Sequence, residues 1–158
     1  MKIRELDESH TDEIKSVFLK IFSEEPWNDA WTDRQLQLYI LELMGNSNPL
    51  LLGLYDNERL AGISLGRIRH WYTGVEYWID EFGVLPEYQQ KGTGSDFMKK
   101  IKEFLADRDV KVITLLTDRT FPAFRFYKKN GFSEREEQVF MVYRSDKNVY
   151  GTSEELPQ

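Results

Sequence analysis

Residues 82–98, FGVLPEYQQKGTGSDFM, hold the change of sequence period on which the fold turns. Upstream, residues 75–84 read as a strand, and Pro86 prevents its simple continuation because proline cannot donate to a ladder. Downstream, Phe97, Met98, Ile101, Phe104 and Leu105 recur at helical spacing and form one apolar face. Between the two runs lie Gln89, Gln90, Lys91, Gly92, Thr93 and Gly94, with two glycines beside a lysine at a helix start. A helix N-terminus presents unpaired N–H groups and a partial positive charge. Glycine lets a ligand approach that backbone with no Cβ in the way. Strand, glycine loop and helix together suit a phosphate or pyrophosphate, and Lys91 adds a mobile positive charge. By itself, a plain turn into the helix is the favoured reading of the stretch. It is not a Walker loop, since no Gly-Lys-Ser/Thr ending follows. Nor is it a dinucleotide fingerprint, whose third glycine is Phe97 here.

The rest of the chain is ordered by the same alternation of periods. Residues 2–6 alternate weakly as a first strand. Ser9 or Thr11 is placed to cap a helix in which Ile14, Val17, Phe18, Ile21 and Phe22 share one stripe, ended by Pro26. Thr32 caps a second helix with Leu36, Tyr39, Ile40 and Leu43 on one side, and Gly45 to Pro49 stop it. Strands follow at residues 50–55 and 60–71, separated by a turn at Asp56-Asn57-Glu58. Residues 110–117, VKVITLLT, have the β-branched, mostly apolar pattern of a central strand buried on both faces. Residues 121–129 form a short helix with Pro122 at a tolerated early position, and Asn130-Gly131 ends it. Residues 132–135 and 138–143 read as two closing strands. No repeat or linker interrupts this order, so one mixed α/β domain over residues 1–144 is expected, with a polar C-terminal tail over 145–158.

Composition sets the outer bounds. A chain of 158 residues suits one domain with a real core, and 41% apolar residues mark it as globular. The net charge of −6 argues against a nucleic-acid binder; it fits attraction of cations, and equally the ordinary acidity of a cytoplasmic protein. With no cysteine there is no disulfide, thiol nucleophile or thiolate metal site. His10 and His70 alone cannot build a histidine-rich metal site. The start, MKIRELDESH, lacks an apolar signal core, and no run approaches the ~20 apolar residues of a membrane span. A cytoplasmic protein with no metal, membrane or nucleic-acid partner is the expectation.

Two motifs in the right order carry a resemblance. FGVLPEYQQKGTG (82–94) is similar to the acetyl-CoA loop of the GNAT family of N-acetyltransferases, whose signature is Gln/Arg-x-x-Gly-x-Gly/Ala after a strand ending in apolar-x-Val. Here these are Gln89, Gly92 and Gly94 after Phe82-Gly83-Val84. FPAFRFYKKNGF (121–132) resembles the same family's late Ala-x-x-Phe-Tyr-x-x-x-Gly-Phe motif. The resemblance covers roughly residues 2–144 in element order. It implies a mixed, mostly antiparallel sheet of about six to seven strands, splayed after the fourth and flanked by about four helices. One departure is that many members carry Asn three residues before the alanine of the late motif, where this chain has Thr120.

The resemblance also implies a mechanism. Backbone groups of Phe82, Gly83 and Val84 would pair with the pantetheine arm of acetyl-CoA, and the Phe82 N–H would face the thioester carbonyl. A fixed donor there stabilises the negative charge of the tetrahedral intermediate. Gln89 would belong to the same cofactor-binding loop, and the N–H groups of Gln90, Lys91, Gly92, Thr93, Gly94 and Ser95 would hold the pyrophosphate. Thr120 and Phe124 would complete the cofactor site. An amine attacks directly, and Tyr127, the family's usual proton donor, would protonate the leaving thiolate. Read from the residues alone, Tyr127 is equally a core aromatic beside Phe126.

The base is left open between two acids. Strand alternation puts Glu76, Trp78, Asp80 and Phe82 on one face and Tyr77, Ile79 and Glu81 on the other. Family members often carry an acid four residues before the Phe82 position; here that position is Trp78. Asp80 shares its parity and matches an acid in the aminoglycoside 6′-N-acetyltransferase branch, so it ranks slightly ahead of Glu81, which a local bulge would turn inward. Alternatively both acids bind a cationic substrate while water carries the proton, or they pair with Arg67 and Arg69. The stretch EEPWNDAWT (24–32) lies between the first two helices, where the family has its acceptor site. Trp27 and Trp31 among acids suit a cationic amine through cation–π contact, and equally pin the connection onto the core. The expected function is acetyl transfer from acetyl-CoA to a small aminoglycoside- or polyamine-like amine. The alternatives are acetylation of a protein N-terminus or lysine, and a non-catalytic CoA-binding domain. A homodimer through the late strands is implied by analogy with relatives.

Overall fold

The computed structural model describes residues 1–145. Four strands, β1 (Lys2–Glu5), β2 (Pro49–Asp56), β3 (Arg59–Trp71) and β4 (Gly74–Val84), follow one another as antiparallel neighbours. A fifth, β5 (Val112–Leu115), joins β4 in parallel, so the sheet is mixed with the order β1-β2-β3-β4-β5. The helices are α1 (Thr11–Phe22), α2 (Asp33–Met44), α3 (Thr93–Ala106) and α4 (Pro122–Lys129). Among the described residues none is long and apolar enough to cross a membrane.

Strand alternation sorts the apolar side chains into two layers. Leu51, Ile63 and Leu65 meet Ile14, Phe18 and Ile21 of α1 and Leu36, Ile40 and Leu43 of α2. On the other face Leu50, Leu52, Leu54, Tyr77 and Ile79 meet Phe97, Met98, Ile101 and Leu105 of α3, with Tyr127 of α4 at the margin. Each such side chain fully removed from water stabilises the fold by roughly 1.5–3 kcal/mol. Ser64, buried within the sheet, shares a 2.9 Å hydrogen bond with the Tyr77 hydroxyl, so the polar pair is satisfied in place.

The expected helices and first four strands are present, with differences at particular places. The capping residue before α1 is Asp7, not Ser9 or Thr11. Its carboxylate accepts from the Ser9 N–H at 2.9 Å and starts a 3-10 turn, Glu8–His10, that runs into the helix. Thr32 caps α2 as expected, in a reciprocal pair with Gln35. The strand expected over 110–117 shrinks to Val112–Leu115 and lies at the sheet edge, with Val112 and Leu116 exposed. The closing strands expected over 132–135 and 138–143 are absent: residues 132–145 contain no strand, so among the described residues the sheet has five strands instead of six to seven. Strand formation is decided by a partner ladder more than by propensity, and here the apolar run 139–143 stands exposed without one. The tail expected over 145–158 lies, beyond Ser145, outside the described residues.

Candidate active site

Two irregularities in β4 build the site. The first is a bulge. Leu65 pairs with Glu81 and Gly66 with Ile79, which leaves Asp80 as the extra residue. Gly66 is required opposite it, since a Cβ there would stand 2.1 Å from the Trp78 carbonyl oxygen. The bulge inverts the parity of everything beyond it. Tyr77 and Ile79 face α3, yet Glu81 and Gly83 face α1 and α2, and Phe82 and Val84 turn to the α3 side. Uninterrupted alternation would place Phe82 with Trp78 and Asp80; the bulge separates them. The second irregularity is a splay. Pairing with β5 stops at Ile79 opposite Leu115, so residues 80–84 have a ladder only with β3. Their backbone groups on the other side border the gap between β4 and the chain leaving β5.

Glu81 projects from this region toward α2. Tyr39 Oη donates a 2.7 Å hydrogen bond to its Oε1. Burial pushes the Glu81 carboxyl up to about 7; the Tyr39 hydrogen bond opposes this, and the negative charges of Asp29 and Asp80 add to it. Asp80, its neighbour, is engaged by Arg67 through both carboxylate oxygens at 3.1 and 2.9 Å. Burial raises the Asp80 carboxyl also, against the lowering effect of the guanidinium. Arg69 similarly stands 3.6 Å from Glu76. The two acids put forward for the base are therefore brought side by side but differ in kind, one paired with a cation and the other not.

An aromatic wall rises beside Glu81. Trp31 stacks on Tyr39 with ring centres 5.2 Å apart and meets Phe18 edge-on at 5.5 Å. Trp27 meets Phe22 edge-on at 5.4 Å. Both tryptophans pack against the core of α1 and α2 and are partly buried. Trp78, expected from the sequence to bind substrate with Trp27 and Trp31, stands on β4 between two arginines. Its ring is flanked by the guanidiniums of Arg69 at 5.0 Å and Arg67 at 5.9 Å, and it makes no ring contact with Trp31. Sequence reasoning missed Tyr39 as part of this group, because a tyrosine on the inner stripe of a helix looks like core. The available signal was its hydroxyl, which demands a partner when it is drawn inward.

Across the sheet, Phe82 stacks on Phe97 at 5.4 Å and on Phe126 at 5.5 Å, and Tyr127 leans on the same ring at 6.2 Å. Burial first, and then the charge of Glu81, raise the Tyr127 hydroxyl well above its ordinary value. A tyrosine so placed keeps its proton at neutral pH.

The glycine loop enters α3 through Gln90 and Gly92, both with positive φ, 57° and 81°. A Cβ on Gly92 would meet nothing within 4 Å, so its backbone conformation is what demands glycine. A Cβ on Gly94 would stand 3.1 Å from the Phe126 ring, so that glycine serves the approach of α4. No side chain caps α3, and the N–H groups of residues 90–95 meet no acceptor among the described residues. Gln89 Nε2 donates to the Val84 carbonyl at 3.1 Å and ties the loop to the strand end, while Lys91 Nζ donates to the Glu87 carbonyl at 2.7 Å. Thr120 bonds Asp118 through both its N–H and its hydroxyl, at 2.7 and 2.6 Å. Phe124, in the first turn of α4, is partly buried.

Comparison with known proteins gives the family and the fold. The family model described as acetyltransferase (GNAT) family matches residues 11–132. No curated protein matches the chain. Among solved structures, an aminoglycoside 6′-N-acetyltransferase from Acinetobacter haemolyticus is similar at a TM-score of 0.71 and 15% identity, covering 92% of this chain and 100% of that one. A second aminoglycoside 6′-N-acetyltransferase, in complex with a bisubstrate analogue of CoA and an acetylneamine, has a TM-score of 0.69 at 15% identity, over 90% and 97% of the two chains. A protein described as a transcriptional regulator, from Bacillus halodurans C-125, reaches 0.69 at 20% identity over 90% and 99%. At such identities the likeness is one of fold.

Proposed function

The chain belongs to the GNAT acetyltransferase family of acyl-CoA-dependent N-acyltransferases, and from that premise we propose that it moves an acetyl group from acetyl-CoA to a small cationic amine. The acceptor is of aminoglycoside or polyamine character. The observation that carries this reading is the Glu81 carboxylate, partly buried and without a cationic partner among the described residues, beside Asp80 and near Asp29 at the foot of the Trp31–Tyr39 stack. Such a place attracts an ammonium group and can accept its proton. Glu81 ranks ahead of Asp80 as base, because Arg67 already neutralises Asp80. Trp27 and Trp31 border the mouth. Trp78 and Asp80 shape its floor through the two arginines.

Acetyl-CoA supplies the activated thioester. The free side of β4 at Phe82, Gly83 and Val84 offers backbone groups to its pantetheine arm, and the uncapped N–H groups of residues 90–95, with Lys91, offer donors to its pyrophosphate. Thr120, just before α4, and Phe124, in its first turn, would complete the cofactor site. Glu81 takes the proton of the bound ammonium, and the freed nitrogen attacks the thioester carbon. The carbonyl electron pair moves to oxygen, stabilised by the Phe82 N–H. The intermediate collapses with loss of the CoA thiolate, which Tyr127 protonates, and the second proton shed by the attacking nitrogen returns to Tyr127. Residues 1–144 form the catalytic unit, and we infer that it acts as a homodimer. The test is CoA-thiol release with acetyl-CoA and a panel of aminoglycosides, polyamines, peptides with free N-termini and lysine peptides. Turnover confined to the small polycations is expected. Turnover on peptides alone points instead to a protein acetyltransferase, and CoA binding with no turnover to a non-catalytic domain.

A further inference from the structure

Tyr39 belongs to no motif and, as a middle residue of α2, reads as core. Its ring is held on both sides, stacked on Trp31 at 5.2 Å and edge-on to Phe18 at 6.2 Å, and its hydroxyl ends on Glu81. We propose that Tyr39 is a positioning residue for the catalytic base: it fixes one carboxylate oxygen of Glu81 so that the other is aimed at the acceptor nitrogen. The proposal rests on the reading of Glu81 as that base.

The charged surroundings of Glu81 show why a donor is needed there. From β4 itself comes Asp80, and from the connection before α2 comes Asp29; both repel its charge. From β3 comes Arg67, but its guanidinium is aimed at Asp80. From α4 comes Tyr127, which senses the Glu81 charge without a hydrogen bond to it. Tyr39 is thus the one hydrogen-bond donor to the carboxylate among the described residues, and it reaches Oε1 alone. Burial, with the nearby Glu81 charge, raises the Tyr39 hydroxyl far above its ordinary value, so it remains a donor throughout the working range. A neutral donor suits a base better than a cation does. It orients the carboxylate without cancelling the charge that must receive the proton. Because the same ring stacks on Trp31, the orientation is anchored in the wall of the acceptor mouth.

The variant Tyr39→Phe keeps the ring and both aromatic contacts and removes only the donor. The Glu81 carboxyl, followed by carbon NMR in the free protein, then titrates about one pH unit higher, since one charge-assisted hydrogen bond to the ionised form is lost. The acidic limb of kcat/KM moves up by the same amount, kcat falls about tenfold, and the KM for acetyl-CoA stays unchanged. In a Glu81→Gln background, Tyr39→Phe has no further effect. If Glu81→Gln is inactive yet Tyr39→Phe leaves both the titration and the limb in place, the positioning role is overturned while the base survives. If Glu81→Gln keeps the wild-type profile, the base itself is wrong and the proposal goes with it. Thermal melting of Tyr39→Phe at the wild-type temperature confirms that fold is not the cause of either result.

Discussion

Glu81 is a carboxyl group that holds its proton to about pH 7, and this has two measurable effects of opposite sign. In the proposed role as base Glu81 must be ionised, so kcat/KM should rise with pH through that value. Stability behaves the other way. The unfolded chain releases the same proton at about pH 4.3. Between the two values the folded chain binds a proton that the unfolded chain has lost, so the Glu81 contribution is fully present below the lower value and is lost as pH rises through the upper one. A shift of this size corresponds to at most on the order of 4 kcal/mol, less where solvent reaches the group. Glu81→Gln separates the effects. It should lower kcat/KM by about 10²–10⁴ and abolish the acidic limb. Its melting temperature relative to the wild type should improve between about pH 4.5 and pH 7 and level off above that. A variant that keeps the limb, or whose relative melting temperature does not change with pH, contradicts the assignment.

The bulge in β4 is the element on which the acids depend, and Gly66 is its weak point. Its missing Cβ would lie 2.1 Å from the backbone oxygen of Trp78, an atom that cannot rotate away. Gly66→Ala must therefore push β4 off its register next to Asp80. The expected result is a loss of roughly 1–3 kcal/mol of stability, and a fall in kcat larger than any change in acetyl-CoA affinity, because the glycine loop lies beyond the disturbed pairs. Unfolding curves and steady-state kinetics check this, and equal losses in kcat and cofactor affinity would count against it. The same bulge marks what could be read from sequence. Helices and strands with a clean period were legible, because each apolar stripe meets a layer that the period itself specifies. The glycine loop was legible because its residues are contiguous. The inward turn of Glu81 was legible only as an alternative that needs a bulge, and the face of Phe82 was not, since one extra residue inverts the alternation, and the requirement for it lies across the ladder at Gly66. The contacts of Tyr39 with Glu81 and of Trp78 with Arg67 and Arg69 join distant segments that no local pattern relates.

At the scale of the whole molecule the sheet is left with an uncovered edge. Among the described residues the short β5 has a ladder on one side only, and Val112 stands half exposed. Close after α4, the consecutive residues Val139, Phe140, Met141, Val142 and Tyr143 are 55–90% exposed, with no charge among them. An exposed edge and an unpaired β-forming run are each a liability in water, and each is the complement of the other. A second copy satisfies both when the run 138–143 of one protomer covers the β5 edge of its partner, and two-fold symmetry repeats the exchange. This would also restore the ladder that the sequence led us to expect after Gly131. Sedimentation should accordingly show a dimer at assay concentrations. Phe140→Lys should shift it to monomer with slower exchange protection lost over residues 138–143, while the core of α1, α2 and β1–β4 keeps its protection. A wild-type monomer whose 138–143 amides are nevertheless protected would mean that the run folds back on its own sheet, and the dimer would have to be abandoned.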